Sequence, residues 1–247
     1  MKYNIQLFET LDSTNKYLEN IDISGIDEGY IVQTNRQTGG VGQQENRWES
    51  EPNKNLTLSL LLKPTFLPIA DRYMITKAIS IAITEFLKQE IPDKTISIKW
   101  PNDIYVDKNK ICGILISNKF RGSTFKSAII GIGFNVNQTT FSHNIPNPIS
   151  LKIITGKDYK LNEVMDKICL HIAAWYYTLQ QGDYNKLDRY YLENLLYLGE
   201  KREYIYKGKG IHATIIDVSK NGLLRIKNSD NKIIECDLKE LVFIHDK

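Results

Sequence analysis

Lys99, Trp100, Pro101, Asn102 and Asp103 follow one another in the chain, and Lys110 comes seven residues after Asp103. An alternating strand, with Ile96, Ile98 and Trp100 set against Ser97 and Lys99, leads into them. It stops at Pro101, which has no N–H to give a sheet ladder. Beyond the proline, the segments Ile104–Val106 and Ile111–Ser117 flank the polar turn Asp107–Lys110, as in a hairpin. Lys110 therefore stands where a loop re-enters a sheet. Such a cleft would hold a carboxylate able to serve Mg²⁺ or a nucleophilic amine, and an ammonium able to serve a phosphate and a substrate carboxylate. Taken singly, the same residues also read as a turn aspartate, a solvated hairpin lysine and a core tryptophan.

A second chemical feature is the loop Gln37–Trp48. Gly39, Gly40 and Gly42 remove side chains there, so that backbone N–H groups can close on an anionic or flat ligand. The loop lacks the Gly-Lys-Ser/Thr ending of a P-loop, and on its own it fits a plain surface turn equally well.

The elements that would position these residues follow from periodicity. Asp12 and Ser13 are good N-cap types before a short helix over Thr14–Ile21, and a strand over Tyr30–Thr34 precedes the glycine loop. Leu56, Leu58, Leu60 and Leu62 alternate with Thr57 and Ser59, marking a strand buried on at least one face. From Asp71 to Lys88 the apolar spacing becomes helical, and Ser127–Val136 reads as a strand carrying Gly131 and Gly133. A long helix runs from Leu161 to Leu179, with Gly182 to end it, and a second covers Tyr184–Leu198. After that the pattern changes to short strands, Ala213–Val218, Leu223–Lys227 and Lys232–Asp237, separated by turn sequences. The reading is an α+β main domain over residues 1–199, a mixed β-sheet with flanking helices, followed by a small β-barrel over 200–247.

Bulk properties narrow the function classes. A chain of 247 residues with 42% apolar and 25% charged side chains can bury one large core and is expected to fold in water. A net charge of +3, with lysines spread along the chain, gives no case for a nucleic-acid partner. No apolar run is long enough to cross a bilayer, and Cys112, Cys169 and Cys236 show neither disulfide nor zinc spacing. A cytoplasmic location with reduced thiols is the expectation.

Several motifs occur together in a fixed order: Ser13–Asn15, Gln37–Gly42, Trp48, Lys99–Asp103, Lys110–Leu115 and Gly131–Asn137. In order and spacing this combination resembles the biotin protein ligases, in their short form without an N-terminal DNA-binding domain, over nearly the whole chain. The resemblance implies a catalytic domain like that of class II aminoacyl-tRNA synthetases and a C-terminal SH3-like barrel. It also implies ATP-dependent, Mg²⁺-assisted formation of biotinoyl-5′-AMP, then transfer of biotin to one lysine of a biotin carboxyl carrier domain of acetyl-CoA carboxylase or a related carboxylase.

Carried over by motif, Ser13, Thr14 and Gln37 would bind the ureido head of biotin, with Gly40, Gly131 and Gly133 walling its pocket. Lys110 would be catalytic, bridging the biotin carboxylate and the α-phosphate. Trp48 would lie near the adenine, and Asn102 and Asn135 would bind adenylate or Mg²⁺ ligands. Asp103 would orient the ion or receive the acceptor lysine. Asn15, Gly39, Gly42, Lys99 and Gly113 complete the binding set by their places in the motifs.

The glycine loop departs from the family pattern. Val41, Gln43 and Gln44 stand where arginines are usual, Glu45 replaces a usual glycine, and Arg47 remains as a cation. A charge-assisted hydrogen bond contributes roughly 1.5–3 kcal/mol, so two missing arginines would loosen the adenylate by about a hundredfold or more, with lysines such as Lys54 as compensation. Lipoate protein ligases and a non-catalytic biotin or carrier binder are the rival readings. No DNA partner and no membrane are expected. The resemblance leaves monomer and homodimer both open.

Overall fold

The strand Leu56–Leu62 explains most of the architecture, because side chains along a strand alternate between the two faces of its sheet. Its even positions, Leu56, Leu58, Leu60 and Leu62, join the main core, whereas Leu61 packs in a second cluster with Leu18, Val32 and Ile129. Thr57 and Ser59, also odd, are buried polar residues. One face of the sheet is thus apolar throughout, and the other is apolar at one end and polar at the other.

The computed structural model describes residues 1–43, 47–238 and 240–244. Gln44, Glu45 and Asn46, where part of the altered loop falls, lie outside the described residues. The main sheet contains β1 (Asn4–Leu11), β2 (Tyr30–Gln37), β3 (Leu56–Leu62), β4 (Ile96–Lys99), β5 (Asp103–Val106), β6 (Asn109–Arg121) and β7 (Thr124–Phe134). Their spatial order is β1-β2-β3-β7-β6-β5-β4. β1 and β2 are parallel and the remaining pairs antiparallel. The helices are α1 (Thr14–Asn20), α2 (Tyr73–Glu90), α3 (Leu151–Thr155), α4 (Leu161–Gln180) and α5 (Tyr184–Glu193). α2 and α4 supply the core on the apolar face, and α1 covers the apolar end of the other.

A second, five-stranded antiparallel sheet begins at Lys201. It contains β8 (Lys201–Tyr206), β9 (Lys209–Val218), β10 (Leu224–Asn228), β11 (Ile233–Cys236) and β12 (Leu241–Phe243), in the order β11-β10-β9-β8-β12. Lys207 and Gly208, the two residues joining β8 to β9, both have positive φ (49° and 78°), as a type I′ hairpin turn requires. The fold class is α+β, with an SH3-like barrel at the C-terminal end.

Several elements differ from the sequence reading. Residues 4–11, for which the sequence reading has no element, form strand β1, an edge strand on which Ile5 and Leu7 alternate with polar residues yet stay exposed. Helix α5 ends at Glu193 rather than Leu198. Beyond it, Ile98 N donates to Asn194 O (2.7 Å) and Leu196 N to Ile98 O (2.9 Å), so the chain leaves the helix to cover the open edge of β4. α3 spans only five residues, fixed by a Ser150 cap that accepts from Ile153 N and by Gly156 in the left-handed region (φ 71°). β8 and β12 were not anticipated.

Phe86 on α2 is almost fully buried and meets Phe134 of β7 edge to face, with centroids 5.8 Å apart. Replacing it by alanine opens a cavity between helix and sheet. Phe86→Ala is expected to cost about 3–5 kcal/mol, read as a lower urea midpoint with an unchanged m-value.

Candidate active site

The polar end of the sheet's second face is built from one row of paired residues. Lys99 pairs with Asp103, Asp103 with Gly113, Gly113 with Gly133, and Gly133 with Thr57, across five neighbouring strands. In the next row on that face Leu115 pairs with Gly131, and Gly131 with Ser59. The centre of this surface carries glycine, so space remains above the backbone.

That space is a cavity of about 480 Å³. Its lining includes Ser13, Thr14, Asn15, Gln37, Gly42, Trp48, Lys99, Asn102, Asp103, Lys110, Gly113, Gly131 and Gly133. Gly39, Gly40 and Asn135 are not among its lining residues. Gly39 N donates to Asp12 O (2.8 Å), tying the loop to the residue before the α1 cap, and Gly40 O accepts from Trp48 N (3.1 Å), closing the loop on itself. A Cβ on Gly40 would overlap the Trp48 carbonyl oxygen. Asn135 lies past the end of β7, its Nδ2 donating to Ile149 O (3.0 Å) and its Oδ1 buried without a partner among the described residues.

At one end of the cavity sits the start of α1. Ser13 caps the helix, its Oγ accepting from Lys16 N (3.4 Å), while Gln37 Oε1 accepts from Thr14 N (3.0 Å). Ser59 Oγ donates to Thr14 Oγ1 (2.7 Å) and also contacts Asn15 Oδ1. Asn15 Nδ2 reaches across to Leu115 O (3.3 Å). A Cβ on Gly131 would overlap the Asn15 amide, so glycine is needed where this side chain crosses the strand. The polar pocket is thus held rigidly, and Ser59 is a member that sequence reading missed. Its polarity within a leucine run was the available signal.

At the other end, Lys110 Nζ pairs with Asp103 Oδ1 at 2.8 Å, both side chains about one-quarter exposed. Lys110 Nζ is also 5.5 Å from the centroid of a Trp48 ring. The indole lies directly on Gly133 and Gly113: a Cβ on Gly133 would overlap the indole, and one on Gly113 would stand 3.0 Å from Trp48 Cζ3. Trp48 Nε1 is buried and has no hydrogen-bond partner among the described residues. Asn102 Nδ2 donates to Ile114 O, which ties the turn before β5 to β6.

Lys99 Nζ lies 5.3 Å from the Tyr105 ring centroid and 5.3 Å from that of Phe243 on β12. Burial lowers the Lys99 pKa below the usual lysine value, with Asp103 opposing that shift and Lys110 adding to it. Leu238, in the turn before β12, and Leu241, Val242 and Phe243 of β12 form a further wall. No sequence pattern pointed to these apolar residues, because the contact joins segments far apart in the chain. Among the described residues, the cations lining the cavity are Arg47, Lys99 and Lys110, and the acid is Asp103. No cluster of three or more metal-ligating side chains occurs among the described residues. The site suits a ligand with one apolar, hydrogen-bonding end and one anionic end.

Comparison with known proteins agrees with this geometry. Biotin protein ligase from Aquifex aeolicus, solved in complex with biotin and ATP, superposes with a TM-score of 0.79 at 26% identity, covering 97% of each chain. The bifunctional ligase/repressor BirA of Bacillus subtilis is 32% identical over 130 residues, 53% of this chain and 39% of that protein. The biotin--[acetyl-CoA-carboxylase] ligase of Paracoccus denitrificans is 25% identical over 195 residues, 76% of this chain and 80% of that one. The chain spans less than half the length of the Bacillus relatives it matches. The profile of the Biotin/lipoate A/B protein ligase family matches residues 7–135, a span that contains the α1 pocket, Trp48, the Asp103–Lys110 pair and the glycine rows, and the chain belongs to that family.

Proposed function

We propose that the chain is a biotin protein ligase, which joins biotin to ATP as biotinoyl-5′-AMP and then passes biotin to a lysine of a carboxylase carrier domain. The observation that carries this reading is the Lys110–Asp103 pair, set on a glycine floor between a polar pocket and an indole.

In the first step a biotin carboxylate oxygen forms a bond to the α-phosphorus, and the bond from that phosphorus to the pyrophosphate oxygen breaks. Two anions must approach for this, and the Lys110 ammonium offsets their repulsion and the charge that builds on the phosphoryl oxygens. Thr14, Gln37 and the Ser13 hydroxyl offer hydrogen bonds to the ureido head, while the glycines leave room for the bicyclic ring. Trp48 provides a flat apolar surface for adenine, with Nε1 available as a donor. Lys99 and Asn102 sit on the side of the Asp103 turn, where phosphates would lie. Mg²⁺ fits this site as an ion brought with the nucleotide, because it is commonly held by one or two carboxylates plus substrate phosphates and Asp103 supplies one. Bound there, it would neutralise phosphate charge.

In the second step the carrier lysine amine forms an amide bond at the biotinoyl carbonyl, AMP leaves, and the amine gives up a proton. Asp103, beside Lys110, is placed to take that proton. The partner in this reading is a biotin carboxyl carrier domain. The compartment is the cytoplasm, in keeping with three buried, unpaired cysteines. No helix among the described residues is long and apolar enough to cross a membrane.

The reading is tested with purified protein, ATP, Mg²⁺, biotin and a carrier domain, following pyrophosphate release and carrier mass. Biotin-dependent pyrophosphate release and a biotinylated lysine are expected; exchange driven by lipoate instead of biotin would move the chain to the lipoate branch. Lys110→Ala is expected to lower the adenylation rate by about a hundredfold or more, with the folded state retained by circular dichroism. Gln43 lines the cavity where the family places a cation. Gln43→Arg should lower the KM for ATP by about tenfold, the effect of one charge-assisted hydrogen bond.

A further inference from the structure

The turn Trp100–Asp103 is held from beneath by groups that have no place in the reaction just described. The Pro101 carbonyl accepts hydrogen bonds from the hydroxyl of Tyr73 on α2 (2.9 Å) and from that of Tyr191 on α5 (3.3 Å). The two hydroxyls are 3.0 Å apart, and the rings meet edge to face with centroids at 6.2 Å. Lys77, one helical turn after Tyr73, is almost fully buried and places its Nζ 5.8 and 5.4 Å from the two ring centroids. It pairs with Asp188 of α5 at 2.6 Å. Two helices are thereby fixed to each other and jointly to one carbonyl oxygen. Burial raises both phenol pKa values, so each hydroxyl keeps its proton and remains a donor at neutral pH.

The same turn is also gripped by the barrel. Trp100 Nε1 donates to Gly222 O at 2.9 Å. Gly222 lies in the turn between β9 and β10 with φ 89°, and a Cβ there would overlap the Tyr73 ring. The turn of the barrel therefore rests on Tyr73 with no side chain between them, in a backbone conformation that favours glycine. The same barrel sends Phe243 against Lys99 and forms one wall of the cavity.

We propose that Tyr73, Tyr191, Trp100 and Gly222 form a latch that makes the barrel and the Trp100–Asp103 turn move as one body. They act as positioning residues for Asp103 and, through it, for Lys110. The argument is geometric. The pinned carbonyl and the hooked indole belong to the two residues directly before Asn102 and Asp103. Shifting the barrel moves Gly222, which carries Trp100 and the support of Tyr73 with it. A misplacement of about 1 Å at reacting groups costs up to roughly a hundredfold in rate. Contact of a substrate with the barrel wall is thereby transmitted to the Asp103–Lys110 pair. The kinetic consequence rests on the ligase reading, whereas the mechanical coupling does not.

The test combines hydrogen-exchange mass spectrometry of the full ligand-free chain with adenylation kinetics. Trp100→Phe, which keeps a ring but lacks the N–H, and Gly222→Ala are compared with wild type; the double variant Tyr73→Phe/Tyr191→Phe removes both donors to Pro101. Each is expected to speed exchange by about tenfold or more in residues 102–106 and in residues 218–224 together. Gly222→Ala, far from the reacting groups in sequence, should lower the adenylation kcat by about tenfold while leaving the KM for biotin within about twofold. Faster exchange confined to the segment that carries the substitution overturns the latch, as does an unchanged kcat for Gly222→Ala in an active enzyme. If one variant fails to fold, the others still decide the outcome. Coupled exchange in a protein whose wild type shows no adenylation would leave the latch standing and remove the ligase reading.

Discussion

A sheet that buries one face in a core and holds a ligand on the other must solve two packing problems with a single alternation of side chains. Here the solution is written strand by strand. On β7, Phe134, Ile132 and Ile130 enter the core, while Gly133 and Gly131 face the cavity and Ile129 packs under α1. β3 repeats the scheme with leucines on the core side and Thr57, Ser59 and Leu61 on the other. Everything functional depends on that register, because a slip of one residue would place isoleucines in the cavity and glycines in the core. The dense leucine and isoleucine packing below the glycines makes such a slip costly, which is why a floor lacking side chains can still be rigid.

The glycines create room, and polar groups from other elements fill its edges. Asn15 crosses onto Gly131 and Trp48 onto Gly133, each occupying volume that an ordinary side chain would take. The α1 end is tied together by internal hydrogen bonds, so its side chains are oriented before any ligand arrives, which lowers the entropy lost on binding. The indole end is different: Trp48 Nε1 is buried and has no hydrogen-bond partner among the described residues. A buried polar atom without a partner is disfavoured by about 1–3 kcal/mol, a cost that a ligand supplying the missing group would recover.

Much of this was legible in the sequence because the relevant signals are local. The leucine alternation of β3, the proline ending β4 and the hairpin that brings the Lys110 side chain to Asp103 each lie within about a dozen residues. The α1 cap at Ser13 was readable for the same reason. What stayed hidden is what depends on distant segments meeting. Strand β1 becomes an edge by pairing only with β2, α5 stops early because residues 194–196 pair with β4, and Leu241 to Phe243 become a cavity wall only when the barrel folds over the sheet. The Tyr73–Tyr191 pair looks in sequence like two helix-face aromatics, and only the tertiary structure shows that both hydroxyls converge on one carbonyl. Ser59 carries no signal of its own in the sequence beyond its polarity, because a serine in a buried strand reads as a spacer.

The distribution of charge follows from the same architecture. An anionic ligand end needs cations nearby, and a flexible loop can deliver them only by paying the entropy of closing over the ligand. In this chain two of the three cavity-lining cations among the described residues, Lys99 and Lys110, sit at strand ends, and Arg47 alone belongs to the loop. Strand placement fixes the ammonium groups in advance. Lys110 is held by Asp103 and lies near the Trp48 ring, and Lys99 lies between two aromatic rings, one from the sheet and one from the barrel. Burial disfavours the charged form of Lys99, and the ring faces partly replace the lost water. The positive charge therefore resides mainly at strand ends, and the setting of Lys99 depends on the barrel remaining in contact with the sheet.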